Sequence, residues 1–300
     1  MQAKVLLGTT KGLYEIDSTH PVQFAGHEVR ALAHDGAHWW TIVDGRELWR
    51  SDADGVVIRI AALETAKANC LLPTPAGLLV GTVEAHLLAL HGDTLMPVRS
   101  FDTAPGRETW HTPWGAPPAV RSMAADPSGP LYVNVHVGGV ARSTDNGKSW
   151  TPTIDVHADV HEVRVDPTAG LVLAASARGL AVSDDQGGSW RFETGGLHGR
   201  YSRAVSVAGG TILLTASTGP YTKRAAVYRK PVHSDEPFER CQQGLPEWFS
   251  ENIDTACLAA SDSWAVFGTS AGEVFLSADE GQSWRMLAEG LPPVRCVALM

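Results

Sequence analysis

The sequence lacks several features that would place it in a familiar functional class. In 300 residues it has no apolar run long enough to cross a bilayer, and Met1 leads into an apolar segment without the regions of a signal peptide. Its formal charge of −9 offers no basic excess for nucleic acid or an anionic membrane. We therefore expect a cytoplasmic protein whose partners are neither nucleic acid nor membrane. The oligomeric state stays open.

Cysteine is scarce, and the common catalytic motifs are missing. No CxxC or Cys/His spacing typical of structural zinc occurs, and we interpret the four cysteines as buried, reduced thiols: Cys70, Cys241, Cys257 and Cys296. The chain has no Gly-x-Ser-x-Gly elbow, no P-loop and no dinucleotide-binding glycine fingerprint. We expect neither serine-triad hydrolysis nor nucleotide-driven chemistry, and no cofactor beyond a divalent metal.

What the sequence does contain is an eight-residue motif, Ser-x-Asp-x-Gly-x-Ser-Trp, in three copies. They span residues 143–150, 183–190 and 277–284. The Asp can accept hydrogen bonds from turn amides, the Gly permits a left-handed backbone, and the Trp can bury a large ring as the next strand begins. The motif therefore predicts a repeated hairpin turn, and by itself says little about chemistry.

Seven strand–turn–strand segments recur about every 40 residues, a spacing typical of four-stranded propeller blades. Seven further short apolar segments supply one more predicted strand for each of them, and the last of these segments lies at the C-terminus. We predict an all-β, seven-bladed propeller in a single domain, residues 1–300, whose C-terminal strand joins the N-terminal blade and closes the ring. The predicted blades are 29–61, 67–101, 119–155, 159–195, 202–240, 254–288, and 294–300 together with 1–26.

With three intact motifs, the whole chain resembles the BNR/Asp-box repeat superfamily, which includes sialidases, sortilin-type receptors and a photosystem assembly factor. The resemblance implies the propeller fold. It does not carry sialidase activity, because the Arg-Ile-Pro type motif of sialidases is missing. Whether the protein is an enzyme stays open.

Aligning the first strands places one residue per blade near the mouth of the central channel, and four of the seven are arginine. The set is Arg30, Asn69, Arg121, His161, Arg203, Ala256 and Arg295. Arginine presents paired donors to carboxylate, phosphate or sulfate, so the set predicts an anion site. In the alternative interpretation, each arginine pairs with a loop acid such as Glu28, Glu251 or Asp254.

Four histidines are predicted on the same face in adjacent blades: His111, His136, His157 and His161. Neutral imidazoles there could bind a divalent metal, and His136 and His161 are the candidates for acid–base catalysis. Common loop histidines without such a role are the alternative.

Two long loops and two turns bring further candidates to this face. Stiff, proline-containing loops can wall a pocket with aromatic rings or can pack onto the blades as plugs. The additional ligand-binding candidates are Trp110, Tyr201, Tyr221, Trp248 and Glu251.

These residues predict binding of a small anionic ligand, a carboxylate, phosphate or sugar acid, at the channel mouth, with lyase or hydrolase chemistry left open. The second hypothesis is a protein-interaction scaffold that holds a partner segment on the same face. The third is a sialidase-like glycoside hydrolase, which would need two suitably spaced carboxyl groups from Glu84, Glu108, Glu162 and Glu251.

Overall fold

A computed structural model describes residues 4–16 and 20–300, which form seven antiparallel sheets. The innermost strand of each sheet packs against the innermost strands of the two neighbouring sheets, and this sequence of contacts returns to its start. The sheets are therefore the blades of a closed ring. The predicted all-β, seven-bladed propeller is confirmed.

The strands follow the chain with few interruptions. Blade 7 contains β1 (Val5–Thr9) and β2 (Gly12–Glu15) and is completed by the last strand. Blade 1 contains β3 (Val29–His34), β4 (Trp39–Val43), β5 (Glu47–Ser51) and β6 (Val57–Ala62). Blade 2 contains β7 (Ala68–Thr74), β8 (Gly77–Thr82), β9 (Leu87–His91) and β10 (Thr94–Pro97). Blade 3 contains β11 (Val120–Ala125), β12 (Leu131–Val135), β13 (Gly139–Ser143) and β14 (Thr151–Pro152).

The second half repeats the arrangement. Blade 4 contains β15 (Val160–Asp166), β16 (Leu171–Ser176), β17 (Gly179–Ser183) and β18 (Arg191–Glu193). Blade 5 contains β19 (Tyr201–Ala208), β20 (Thr211–Ser217), β21 (Ala225–Pro231) and β22 (Glu239–Arg240). Blade 6 contains β23 (Leu258–Ser261), β24 (Trp264–Gly268), β25 (Val274–Ser277) and β26 (Arg285–Ala288), and β27 (Val294–Leu299) belongs to blade 7.

Ring closure depends on β27, which pairs antiparallel with β1 and places Val297 opposite Leu7. A bridge between Leu13 and Gln23 lies on the outer side of β2. The predicted closure by the C-terminal strand is thus confirmed. Of the range 1–26 predicted for this blade, residues 1–3 and 17–19 lie outside the described residues.

In the part of the chain that the structure describes, helix is confined to one short α-helix, α1 (Arg99–Asp102), and two 3-10 turns, Arg107–Thr109 and Val156–Ala158. Within residues 4–16 and 20–300, no helix has the length and apolar character needed to cross a membrane.

The three motif copies make the same hydrogen bonds. In the first, the Asp145 carboxylate accepts the hydroxyl of Ser143 at 2.8 Å and the backbone N–H of Ser149 at 2.9 Å, while the Ser143 hydroxyl oxygen accepts the N–H of Gly147 at 2.8 Å. The second and third copies repeat these bonds within about 0.1 Å. The motif is therefore a rigid, self-contained turn.

The residue before the motif glycine adopts a left-handed backbone in each copy: φ is 58° at Asn146, 58° at Gln186 and 57° at Glu280. Asn tolerates this region far better than Gln does.

Asn146 and Gln186 are both exposed, so replacing either by the other residue type changes little besides the backbone preference. We expect Gln186→Asn to raise the free energy of unfolding by about 0.5–1 kcal/mol. We expect Asn146→Gln to lower it by a similar amount; chemical denaturation giving the same sign for both would contradict this account.

Glu162 connects three blades. It belongs to β15 of blade 4 and is only 1% exposed. Its carboxylate accepts the backbone N–H of Val205 in blade 5 at 2.9 Å, the N–H of Ala256 before blade 6 at 3.2 Å, and Arg164 Nη2 at 2.9 Å. Because buried N–H groups must be paired, this side chain fastens neighbouring first strands to each other.

All four cysteines are free thiols, and three of them are buried. Cys70 Sγ lies 3.6 Å from the carbonyl oxygen of Val120 in the next blade. Cys257 and Cys296 face the carbonyls of Val294 and Val29 at 3.8 Å and 4.0 Å. Burial raises the pKa of Cys70 and of Cys296 to about 12, so these thiols are protonated packing groups.

Candidate functional site

The central channel contains a polar cavity of about 600 Å³. The inner strands of several blades supply most of its charged lining, Arg30, Arg121, Glu162, Arg164 and Arg295. The loop before blade 6 adds Asp254, and Asn69 is among the polar groups. Ala256 also lines it, so five of the seven residues aligned from the sequence lie on one cavity.

Arg121 and Arg203 share the carboxylate of Asp254. Nη2 of Arg121 lies 3.2 Å from Asp254 Oδ1, and Nη1 of Arg203 lies 3.0 Å from the same oxygen. Blades 3 and 6 lie three blades apart in the ring, so the Arg121–Asp254 pair reaches across the channel. Surrounding protein raises the pKa of Asp254 by desolvation, but the two guanidinium charges outweigh this and lower the pKa to about 2.

Arg30 and Arg295 share a second carboxylate, that of Glu28. Arg295 Nε lies 3.0 Å from Glu28 Oε1, and Arg30 Nη1 lies 3.5 Å from Glu28 Oε2. Arg30 Nε also donates to Asn69 Oδ1 at 2.9 Å, and the Asn69 amide donates to Val120 O at 2.7 Å. The predicted pairing with Glu28 and Asp254 is present, whereas Glu251 hydrogen-bonds Ser270 instead.

Four arginines thus share two carboxylates in the described part of the ring. Glu162 and Arg164 form a further pair, which adds no net charge. Asp159 also lies within electrostatic reach of Arg121. The channel of this acidic protein is therefore locally cationic. Arg203 contributes a buried Nε that hydrogen-bonds no other described residue.

Next to the arginines, two of the predicted histidines converge on Asp159. His136 Nε2 lies 3.2 Å from Asp159 Oδ1, and His161 Nε2 lies 3.5 Å from Asp159 Oδ2. His161 is fully buried. His136 Nε2, Asp159 Oδ1 and His161 Nε2 are all buried, and none of them hydrogen-bonds another of the described residues.

The protonation of this cluster follows from its surroundings. Burial and the nearby Arg121 charge lower the pKa of His161 to about 4, and burial also lowers the pKa of His136. Burial would raise the pKa of Asp159, but the facing imidazoles hold it well below its usual range. Near neutral pH the cluster therefore contains a carboxylate and two neutral imidazoles.

The backbone fixes each member of the cluster. The backbone N–H of His136 donates to the carbonyl oxygen of Ala119 at 2.8 Å, and the backbone carbonyl of Asp159 accepts the N–H of Ala177 at 3.0 Å. His161 lies on β15, and its Nδ1 is 2.7 Å from Ser202 O. Asp159 has a φ of 50°, a left-handed conformation that Asp tolerates.

The other two predicted histidines lie elsewhere. His111 is exposed, and its Nδ1 contacts Thr109 O at 2.9 Å. His157 is also exposed, and its backbone N–H donates to Asp155. Four histidines in one cluster were expected; the structure brings two together and supplies Asp159 as the third member. His157 lies within the 3-10 turn Val156–Ala158 that precedes Asp159.

The predicted aromatic residues divide between plugs and exposed rings. Trp110 is half-buried against Phe101, with Arg107 over its ring at 4.8 Å. Trp248 packs on His198 with a centroid separation of 4.5 Å, and the guanidinium groups of Arg224 and Arg240 lie 4.4 Å and 4.6 Å from its ring centroid. Both rings therefore anchor their loops.

Tyr201 lies within the site. The centroid of its ring lies 4.7 Å from that of His161, and its hydroxyl oxygen accepts a hydrogen bond from Arg203 Nη2 at 3.2 Å. The ring centroids of Trp114 and His136 are 5.2 Å apart, yet Trp114 is 60% exposed. Tyr221 is 95% exposed. Glu251 and Tyr221 line a neighbouring cavity of about 360 Å³ that also includes Arg203 and Lys223.

Sequence reasoning missed Asp159, although it stands two residues before His161. A weak signal existed, because an Asp-x-His sequence at the start of an inner strand places both side chains near the channel. Asp254 was considered only as a pairing partner, and Glu162 only as a possible glycosidase acid.

No family model matches the chain, and no curated protein matches it. Solved structures share its fold. The GH74 enzyme of Niastella koreensis is 14% identical with a TM-score of 0.61, and the match covers 94% of this chain but only 46% of that one. YCF48 from Cyanidioschyzon merolae is 15% identical with a TM-score of 0.61, covering 86% of this chain and 84% of that one. YCF48 bound to D1 peptide is 11% identical with a TM-score of 0.54, covering 90% and 81%. At these identities the similarity establishes the β-propeller fold, which hosts both enzymes and peptide-binding proteins.

Proposed function

We propose that this protein binds a small anionic ligand, a carboxylate, phosphate or sugar acid, in the mouth of its central channel. The observation that carries the proposal is the ratio of four arginines to two carboxylates around the channel. The side chains of Arg121 and Arg203 are only 16% and 18% exposed, whereas those of Arg30 and Arg295 are 36% and 46% exposed. The two buried guanidinium groups share one carboxylate, and an incoming anion can supply the missing charge.

Two details support a ligand of this class. Arg203 has a buried Nε free of described partners, and Arg121 and Arg203 each leave part of the guanidinium fork unused by Asp254. Tyr201 and the neutral His136 and His161 stand beside them, so a bound acid would meet donors and bases together. Lyase or hydrolase chemistry on such a ligand is the enzymatic form of the proposal, with His136 and His161 as proton acceptors.

The repeated turn supports placing the chain with the BNR/Asp-box propellers, since all three motif copies form the same bonds. That placement adds nothing to the choice of ligand. The proposed site depends on the channel side chains.

The test is calorimetric titration at low ionic strength with inorganic phosphate, sulfate, citrate and sialic acid. Arg203→Lys keeps the charge but loses the planar fork, so we expect about 10-fold to 100-fold weaker binding of whichever anion binds. Asp254→Asn removes the acid that competes for both guanidinium groups, so we expect tighter binding. The two variants should change affinity in opposite directions.

Arg59→Gln is the matched control, because Arg59 pairs with Glu47 at 2.8 Å on the outer strands of blade 1. Its affinity should equal that of the unchanged protein. Absence of binding at millimolar concentrations of every anion would overturn the proposal, as would binding that neither Arg203→Lys nor Asp254→Asn alters.

The exposed rings of Trp114 and Tyr221 favour a second candidate, a protein-interaction scaffold. Large exposed aromatic side chains beside a channel mouth are typical of protein-binding surfaces. A Trp114→Ser/Tyr221→Ser variant separates the two candidates. It should abolish partner capture and, because all four arginines stay in place, it should change anion affinity far less than Arg203→Lys does.

A further inference from the structure

Three atoms of the kind that bind metal ions lie together in the channel: His136 Nε2, Asp159 Oδ1 and His161 Nε2 are buried, and none of them hydrogen-bonds another of the described residues. The Nδ1–H of His161 donates to Ser202 O at 2.7 Å. Its Nε2, 3.5 Å from Asp159 Oδ2, is the ring nitrogen that remains to bind an ion. Buried polar atoms without hydrogen-bond partners are costly, and an ion bound between them would remove that cost.

The distances suit a metal ion. With bonds of about 2.0–2.1 Å, ligand atoms around a tetrahedral metal are separated by about 3.3–3.4 Å. His136 Nε2 lies 3.2 Å from one oxygen of the Asp159 carboxylate, and His161 Nε2 lies 3.5 Å from the other. With one ligand atom taken from each residue, all three lie within 4.8 Å of one another, so no separation needs to close by more than about 1.4 Å.

The surroundings also match those of metal-binding histidines. Such histidines commonly donate their second ring N–H to a carbonyl or carboxylate, as His161 does to Ser202 O. His136 lies on a hairpin turn of blade 3, whereas Asp159 and His161 flank the first residue of the inner strand of blade 4. Backbone hydrogen bonds hold His136 and Asp159 in place. The site is therefore largely preformed.

We propose that His136, Asp159 and His161 bind a divalent transition-metal ion through two Nε2 atoms and one carboxylate oxygen. Two imidazoles with one carboxylate favour Zn²⁺ or Fe²⁺ over Mg²⁺ and Ca²⁺, which prefer oxygen ligands. Three protein ligands leave a coordination position for water or a small ligand. Asp254 offsets the nearby arginine charges, so the ion enters a site with two carboxylates and two cations. This proposal stands independently of the anion proposal.

The test uses the full chain, freed of metal by chelation and dialysis, and Zn²⁺ titrated against a chromophoric chelator. We expect one Zn²⁺ per chain and, with Co²⁺ as a spectroscopic probe, visible bands of a low-coordinate site. Asp159→Asn is the most informative variant, because Asn also tolerates the left-handed backbone of this position. We expect it to weaken Zn²⁺ binding by about 100-fold or more, since loss of an outer-shell partner alone costs 10-fold to 100-fold.

The matched control is a His111→Ala/His157→Ala variant, which removes two exposed histidines and leaves the cluster intact. It should bind Zn²⁺ as the unchanged protein does. His136→Ala, on a turn, provides a second loss variant, and thermal unfolding without metal verifies that each variant folds. Equal Zn²⁺ affinity in Asp159→Asn and the unchanged protein would overturn the proposal, and so would loss of binding in the His111/His157 variant.

Discussion

Removing residues 294–300 is expected to abolish cooperative folding of the whole protein. This segment contains β27, and its deletion leaves β1 as an open edge and exposes the cores of blades 6 and 7. Val294, Cys296 and Val297 are at most 8% exposed, and burial of three such side chains contributes roughly 4–9 kcal/mol. Domains of this kind are stable by only about 5–15 kcal/mol.

Thermal and urea unfolding followed by circular dichroism measure the effect. We expect the truncated chain to aggregate or to lose its sharp transition, because an unpaired strand edge recruits other chains. A synthetic peptide of residues 294–300 added in trans should restore part of the transition. Removal of Met300 alone, which is 46% exposed, is the control and should change the melting temperature far less. A truncated chain that melts cooperatively within a few degrees of the full chain would show that closure is dispensable.

The fold could be predicted from the sequence because most of its signals are local and repeat along the chain. Blade count and closure depend on local signals that recur: an apolar strand, a glycine-containing turn, and a Ser-x-Asp-x-Gly-x-Ser-Trp segment. Each signal is satisfied within about eight residues, as the Asp145 hydrogen bonds demonstrate. Only the N-terminal half-blade needed a distant partner, and the unmatched C-terminal strand identified it.

The site was less predictable because its contacts are long-range. Alignment of first strands correctly brought Arg121 and Arg203 to the channel, but it could not tell that both would share Asp254. That arrangement depends on one loop residue reaching two arginines from different blades. Likewise the grouping of His136 with His161 depends on Asp159, whose left-handed backbone no composition rule predicts.

Replacing Glu162 by alanine is expected to produce the largest loss of stability among single substitutions in the channel. The change leaves the N–H groups of Val205 and Ala256 without their acceptor and deprives Arg164 of its partner. Each unsatisfied buried donor costs about 1–3 kcal/mol, and breaking a buried ion pair costs about 3–5 kcal/mol. Arg164 is 40% exposed, which reduces its share. We therefore expect a total loss of about 3–5 kcal/mol, measured by urea denaturation.

Two variants separate this structural role from a chemical one. Glu162→Gln keeps the shape and one acceptor oxygen, so it should lose less stability than Glu162→Ala. Glu251→Ala removes an exposed acid whose carboxylate hydrogen-bonds the hydroxyl of Ser270, and the free energy of unfolding should stay within about 0.5 kcal/mol of that of the unchanged protein. If Glu162→Ala were equally neutral, water would be replacing the carboxylate and the three blades would not depend on it. A large loss instead means that this acid is committed to the scaffold, since its oxygens already accept from two blades and an arginine. By contrast, His136 Nε2, Asp159 Oδ1 and His161 Nε2 are buried atoms that hydrogen-bond no other described residue, so they are not committed to the scaffold in this way.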